Sequence, residues 1–122
     1  MLARWLVLAL LPLAVACSAP APPPAADSYT VRGEIVRLPE APAGEILIRH
    51  EAIPDFRGMD GKVVGMASMT MPFPLGAGVK LDGITAGTPI EFVLEMRWND
   101  EKQPVAVTRI SPLPPGTALR FQ

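Results

Sequence analysis

From Tyr29 to Gln122, prolines and glycines recur every few residues and leave short runs of β-type residues between them. Proline removes a backbone donor and glycine weakens any regular element, so this punctuation disfavours long helices and suits short strands joined by turns. No amphipathic helix of ordinary length is found. The clearest strand is the fourth, where Ile90, Phe92, Leu94, Met96 and Trp98 alternate with Glu91, Val93, Glu95 and Arg97. A period of two puts the first set on one face and the second on the other.

The remaining strands follow from the same pattern. Tyr29–Leu38 is the first, with Tyr29, Val31 and Ile35 on one face and a bulge or bend expected at Gly33. Glu45–His50 is the second, with Ile46, Ile48 and His50 on one face. Ser68–Phe73 is the third, ended by Pro72 and Pro74, and Val105–Ile110 is the fifth, after a turn at Asn99–Lys102. Residues 52–65 read as a longer loop with a short hairpin at Gly61–Val64, residues 76–88 as a connection with at most one helical turn, and residues 112–122 as an irregular tail. Five short strands suit an all-β fold, a small five-stranded OB-like β-barrel, in which closure removes exposed sheet edges.

The N-terminus has a different character. Arg4 precedes an apolar run from Trp5 to Ala16, the layout of a secretory signal peptide. The run falls short of the roughly 20 apolar residues that span a bilayer. Leu13-Ala14-Val15-Ala16-Cys17 resembles the lipobox of bacterial lipoproteins, in which the cysteine becomes the lipidated N-terminus; Ala14 stands where leucine is more usual. Ala14-x-Ala16 also fits an ordinary cleavage site, which would leave Cys17 a free thiol. Lipidation is the preferred reading. Residues 1–16 are then the signal peptide, 17–28 a disordered Pro/Ala-rich tether of polyproline II character, and 29–122 the folded domain. This places the domain on the periplasmic side of a bacterial membrane, with the outer membrane preferred. The membrane is reached through the lipid alone, and the alternative is a soluble periplasmic protein.

Cysteine and charge then remove several functions. Cys17 is the one cysteine, so its lipidation leaves no thiol for a disulfide, a zinc ribbon or a redox pair. Without Arg4 the side chains carry ten bases against twelve acids, a net of about −2 with no basic run, so nucleic-acid binding lacks electrostatic support. Few aromatics are available for base stacking. No carboxylate pair is spaced to act with the histidine, and neither a thiol nucleophile nor a phosphate loop is present, so the chain reads as a non-enzyme.

What remains is a cluster of soft donors. Three of the six methionines fall within Met66–Met71. On a strand, Met69 and Met71 point to one face and their sulfurs can converge. Thioether is soft, neutral and polarizable, which favours Cu(I) or Ag(I) over Zn(II), Mg(II) or Cu(II). Imidazole suits copper as a third donor, and His50, the one histidine, ends a strand. The competing reading is that Met-x-Met is core packing and His50 a hydrogen-bonded structural residue.

Met69-Thr70-Met71-Pro72-Phe73 after a strand ending in His50, followed by Leu81-Asp82-Gly83-Ile84 and by Gly87-Thr88-Pro89-Ile90-Glu91-Phe92, resembles the CusF-type periplasmic copper/silver-binding proteins over roughly residues 31–110. The resemblance implies a five-stranded OB-like barrel binding one Cu(I) or Ag(I) through His50, Met69 and Met71. Two departures stand out. The best-known members carry a tryptophan over the metal three residues before the first ligand methionine, where this chain has Met66. Met66 is then either a fourth donor or a packing residue. Trp98 reads as core or rim packing. The connection from His50 to Met69 is also longer than the family's compact form, with Arg57–Gly65 an insertion that carries Met59. Met59 is a further donor, a partner contact or neither.

The resulting expectation is a monomeric metallochaperone or metal-tolerance carrier, passing its ion to an efflux component or a copper-enzyme assembly factor. The alternative is a structural or adaptor lipoprotein that docks a partner on the barrel surface without metal.

Overall fold

A computed structural model describes residues 26–41 and 44–122. The segment expected to be a signal peptide, Cys17 and residues 17–25 of the expected tether lie outside the described residues. Five strands form one antiparallel sheet: β1 (Asp27–Arg37), β2 (Glu45–His50), β3 (Met69–Pro74), β4 (Pro89–Met96) and β5 (Val105–Pro112), in the spatial order β3-β2-β1-β4-β5. The sheet curls until its two edges meet, where Leu75 forms a parallel bridge with Val107 and the Gly76 N–H donates to the Val107 carbonyl at 2.8 Å. This is the OB-like barrel expected from the strand pattern.

The alternation read from β4 is the one observed. Ile90, Phe92, Leu94 and Met96 are buried, with Glu91, Val93 and Glu95 partly exposed between them. Tyr29, Val31 and Ile35 from β1, Ile46 and Ile48 from β2, Phe73 from β3 and Val107 and Ile110 from β5 join them, and Ile53, Phe56 and Ile84 from the connections complete the core. Phe73 and Phe92 meet across it with ring centroids 5.6 Å apart. Burying side chains of this size contributes about 1.5–3 kcal/mol each, which is how so small a barrel outweighs the entropy of ordering its chain.

Several boundaries differ from the sequence expectation. β1 takes in Asp27 and Ser28, which pair with Met96 and Glu95, so the sheet begins inside the segment assigned to the tether. β3 runs through Pro72 to Pro74 instead of stopping there. It pairs along its length with β2 alone, so a missing N–H is tolerated on its open side. β4 ends at Met96, before Trp98, and β5 continues to Pro112. Residues 76–88 resolve as successive turns, and no helix occurs among the described residues. The bulge expected at Gly33 lies farther along, between Ile35 and Arg37.

Gly33 has another role. It faces His50 on one side and Ile90 on the other, and a Cβ there would lie 2.5 Å from the Arg49 carbonyl oxygen and 3.1 Å from the His50 Cα. Glycine is what lets β1 and β2 approach this closely.

The long connection from β2 to β3 is itself a hairpin. Ile53 and Met66 exchange backbone hydrogen bonds of 2.8 and 2.9 Å in the register of the β2–β3 ladder, and Arg57 bridges Val63 farther out. Asp60-Gly61 turns the chain, with Gly61 at φ 79° and the Asp60 carboxylate accepting from the Lys62 N–H at 3.0 Å. The base of this arm is anchored. Phe56 is buried 5.3 Å from the Tyr29 ring and 6.3 Å, edge-on, from Trp98, and the Arg57 N–H donates to the Tyr29 hydroxyl. The tip exposes Met59, Val63 and Val64.

Candidate metal centre

The β2–β3 ladder places three sequence-predicted donors together. Across it, Ile46 faces Phe73, Ile48 faces Met71 and His50 faces Met69. Directly opposed residues hold their Cβ atoms roughly 4.5–5.5 Å apart and diagonal ones roughly 7–8 Å, so both thioethers fall within a side-chain length of the imidazole. Exposure rises along β3 from buried Phe73 through partly buried Met71 to Met69, 42% exposed. The three residues thus line the inner face at one end of the barrel, with Met69 toward solvent.

His50 is 0% exposed, the one buried polar or charged side chain among the described residues. Its Nδ1 lies 2.7 Å from the Glu51 carbonyl oxygen. A carbonyl can only accept, so Nδ1 carries the proton and donates it; in the tautomer protonated there alone, Nε2 is a bare lone pair. That Nε2 is buried without a hydrogen-bond partner. Buried polar atoms are nearly always satisfied, and leaving one unpaired costs about 1–3 kcal/mol. The unpaired Nε2 is therefore an acceptor open to a ligand at this end of the barrel. A ring whose far nitrogen donates to a backbone carbonyl while the near one presents a lone pair is, by contrast, the arrangement of metal-ligating histidines. The donor set fits a soft monovalent ion. Phe73 packs 5.9 Å from the imidazole and closes its inner side.

Glu51, Ser68 and Gly33 also shape the centre, and the sequence reading assigned no such part to any of them. The Ser68 hydroxyl donates to the His50 carbonyl at 2.8 Å. Glu51 accepts from Arg32 Nε at 2.9 Å and Nη2 at 3.0 Å, and from the Arg120 N–H at 2.7 Å. Burial alone would raise the Glu51 pKa, but the hydrogen bonds from Arg32 and Arg120 and the charge of Arg32 outweigh it and hold the carboxyl below its ordinary range. A glutamate directly after the last strand residue carries no periodic signal, and its partners are 19 and 69 residues away.

Met66 is partly buried against the core, its backbone locked to Ile53. Met59 is 78% exposed at the arm's tip and is not drawn into the barrel end. Trp98 packs on Phe56 as rim or core, with its Nε1 buried and unpartnered. No group of three or more His, Cys, Asp or Glu among the described residues forms a harder metal site.

Fold and donors together define a small OB-like barrel with an imidazole–thioether face at one end. A family model described as copper binding periplasmic protein CusF matches residues 28–112. The chain belongs to that family, a family of periplasmic proteins that bind Cu(I) or Ag(I). No curated protein and no solved structure gives a significant match.

Proposed function

We propose that this chain carries one Cu(I) or Ag(I) ion as cargo on His50 Nε2, Met69 Sδ and Met71 Sδ, and releases it to a second periplasmic protein, an efflux component or a copper-enzyme assembly factor. The observation that carries the ligand assignment is the buried, partnerless Nε2 of His50 on the same inner face as the two thioethers. Neutral donors bind a soft monovalent ion without the charge that would hold it permanently, which suits a carrier. The solvent-facing position of Met69 supports release, because a partner's donor can replace the outermost thioether first. Met66 is the candidate fourth donor. Cys17 is the proposed lipid attachment, which keeps the barrel at the membrane surface as a monomer.

An anaerobic Cu(I) titration of the full chain tests the ligand set. Saturation is expected near one equivalent, with the affinity lost in the double variant Met69→Ile/Met71→Ile. Unchanged affinity in that variant would sink the assignment. Transfer is tested by mixing the loaded chain with candidate periplasmic acceptors and following the metal.

A further inference from the structure

The residue that holds the histidine is itself held at every polar group. The Glu51 N–H donates to the Arg32 carbonyl at 2.9 Å. Its carboxylate takes both Arg32 nitrogens in a two-point grip and the backbone N–H of Arg120 from the C-terminal tail. Its carbonyl takes the proton of His50 Nδ1. The tail is secured a second time on the same strand, where the Arg49 guanidinium lies 4.1 Å over the Phe121 ring. An irregular tail thus reaches back to the end of β2 and fastens on both sides of His50.

The geometry points to Glu51 and the C-terminal tail as a positioning clamp that fixes the orientation and tautomer of the His50 imidazole. This rests on His50 being a ligand for its value to metal binding, but not for its existence. A two-point arginine–carboxylate contact defines direction as well as distance. With the carboxylate pinned by Arg32 on one side and the tail on the other, and the N–H bonded to the Arg32 carbonyl, turning the Glu51 peptide away from His50 is disfavoured. Its carbonyl therefore stays aimed at Nδ1, and Nε2 stays aimed into the barrel end. Partners of this kind, one shell out from a metal, typically change affinity about 10- to 100-fold when removed. Glu51 and Arg120 act through His50, so they are positioning residues and not ligands.

The bond from the tail is made by the backbone of Arg120, which gives a sharp test. Arg120→Pro removes the N–H, whereas Arg120→Ala keeps it. Glu51→Gln keeps the side chain's shape and weakens the grip. In metal-free full chain at neutral pH, nitrogen NMR of the imidazole should show one tautomer, protonated at Nδ1, for the wild type and Arg120→Ala. Glu51→Gln and Arg120→Pro should show a second tautomer, and their Ag(I) affinity should fall about 10- to 100-fold. A merely structural contact would lower the melting temperature and leave the tautomer alone. A single Nδ1–H tautomer in both Glu51→Gln and Arg120→Pro overturns the clamp. Ag(I) affinity unchanged in His50→Ala would instead overturn the ligand assignment, leaving the NMR result to decide the clamp separately.

Discussion

His50 and Met69 face each other across the last rung of the β2–β3 ladder, one fully buried and the other 42% exposed. The pair sets the hard-to-reach nitrogen behind the reachable sulfur. In the metal-free chain the cost falls on His50, whose Nε2 is buried and unpaired. Replacing it by His50→Leu removes that unpaired atom and one hydrogen bond together, so the metal-free melting temperature should change little. The stabilisation by Ag(I) should disappear. For the wild type at a hundredfold excess over the dissociation constant, binding adds about 2.7 kcal/mol, or roughly 10–20 °C for a domain of this size. Thermal melts in chloride-free buffer with and without silver nitrate measure both.

Gly33→Ala probes the closeness of β1 and β2. Besides Ile48 Cγ2 at 3.1 Å, a Cβ would meet the Arg49 carbonyl oxygen at 2.5 Å and the His50 Cα at 3.1 Å, which are backbone and cannot rotate away. The strands must part, at about 1–3 kcal/mol for overpacking. Urea unfolding should show a lower midpoint at unchanged slope. Because the parting occurs at His50, Ag(I) affinity of the folded variant should fall as well.

The barrel and the shared face of His50, Met69 and Met71 were legible because each writes a periodic signal. Ile46, Ile48 and His50 repeat at two, as do Met69, Met71 and Phe73, and a two-residue period is all that is needed to put them on facing inner surfaces. Three other features were not legible. The bulge sits at Ile35/Arg37 because register depends on the partner strand, which a single run of residues does not specify. Pro72 failed to stop β3 because its neighbour on the far side is missing, a fact of topology. Glu51 stayed hidden because its partners, Arg32 and Arg120, are brought to it by the tertiary fold.

The arm between β2 and β3 separates into an anchored base and a free tip. Phe56 is buried against Tyr29 and Trp98, so Phe56→Ala should cost about 3–5 kcal/mol and loosen the Ile53–Met66 bridge beside the centre. Met59, 78% exposed, should tolerate Met59→Ala within about 0.5 kcal/mol. Metal stoichiometry should be the same in Met59→Ala and wild type. Denaturant melts and an anaerobic Cu(I) titration of the two variants measure these expectations.

Met66 is decided by counting sulfurs. X-ray absorption of the Cu(I) form should fit three sulfurs and one nitrogen if Met66 ligates, falling to two sulfurs in Met66→Leu. Leucine is close in volume to methionine, so the core contact survives and the comparison reads ligation alone. The same spectrum in both forms, with two sulfurs, would make Met66 a packing residue of the arm's base.

Acid should act on the fold through Glu51. Its carboxyl, although burial opposes ionisation, is held below the unfolded value of 4.5 by Arg32 and Arg120. Folding therefore favours the charged form, and the stability that this adds is complete above the unfolded pKa. It is lost as pH falls from 4.5 through the lowered folded value, because the folded chain must then take up a proton at the expense of the Arg32 contact. Glu51→Gln has no such group to titrate. The difference in unfolding free energy between wild type and Glu51→Gln should be constant from neutral pH down to about 5.5, then shrink steadily below 4.5 as the wild type loses its advantage. Urea midpoints for the metal-free proteins across this range, read as a difference so that the other carboxylates cancel, check the sign. A difference that stays flat to pH 3 would mean that Glu51 titrates alike in the folded and unfolded chains and that its grip on Arg32 adds nothing to stability.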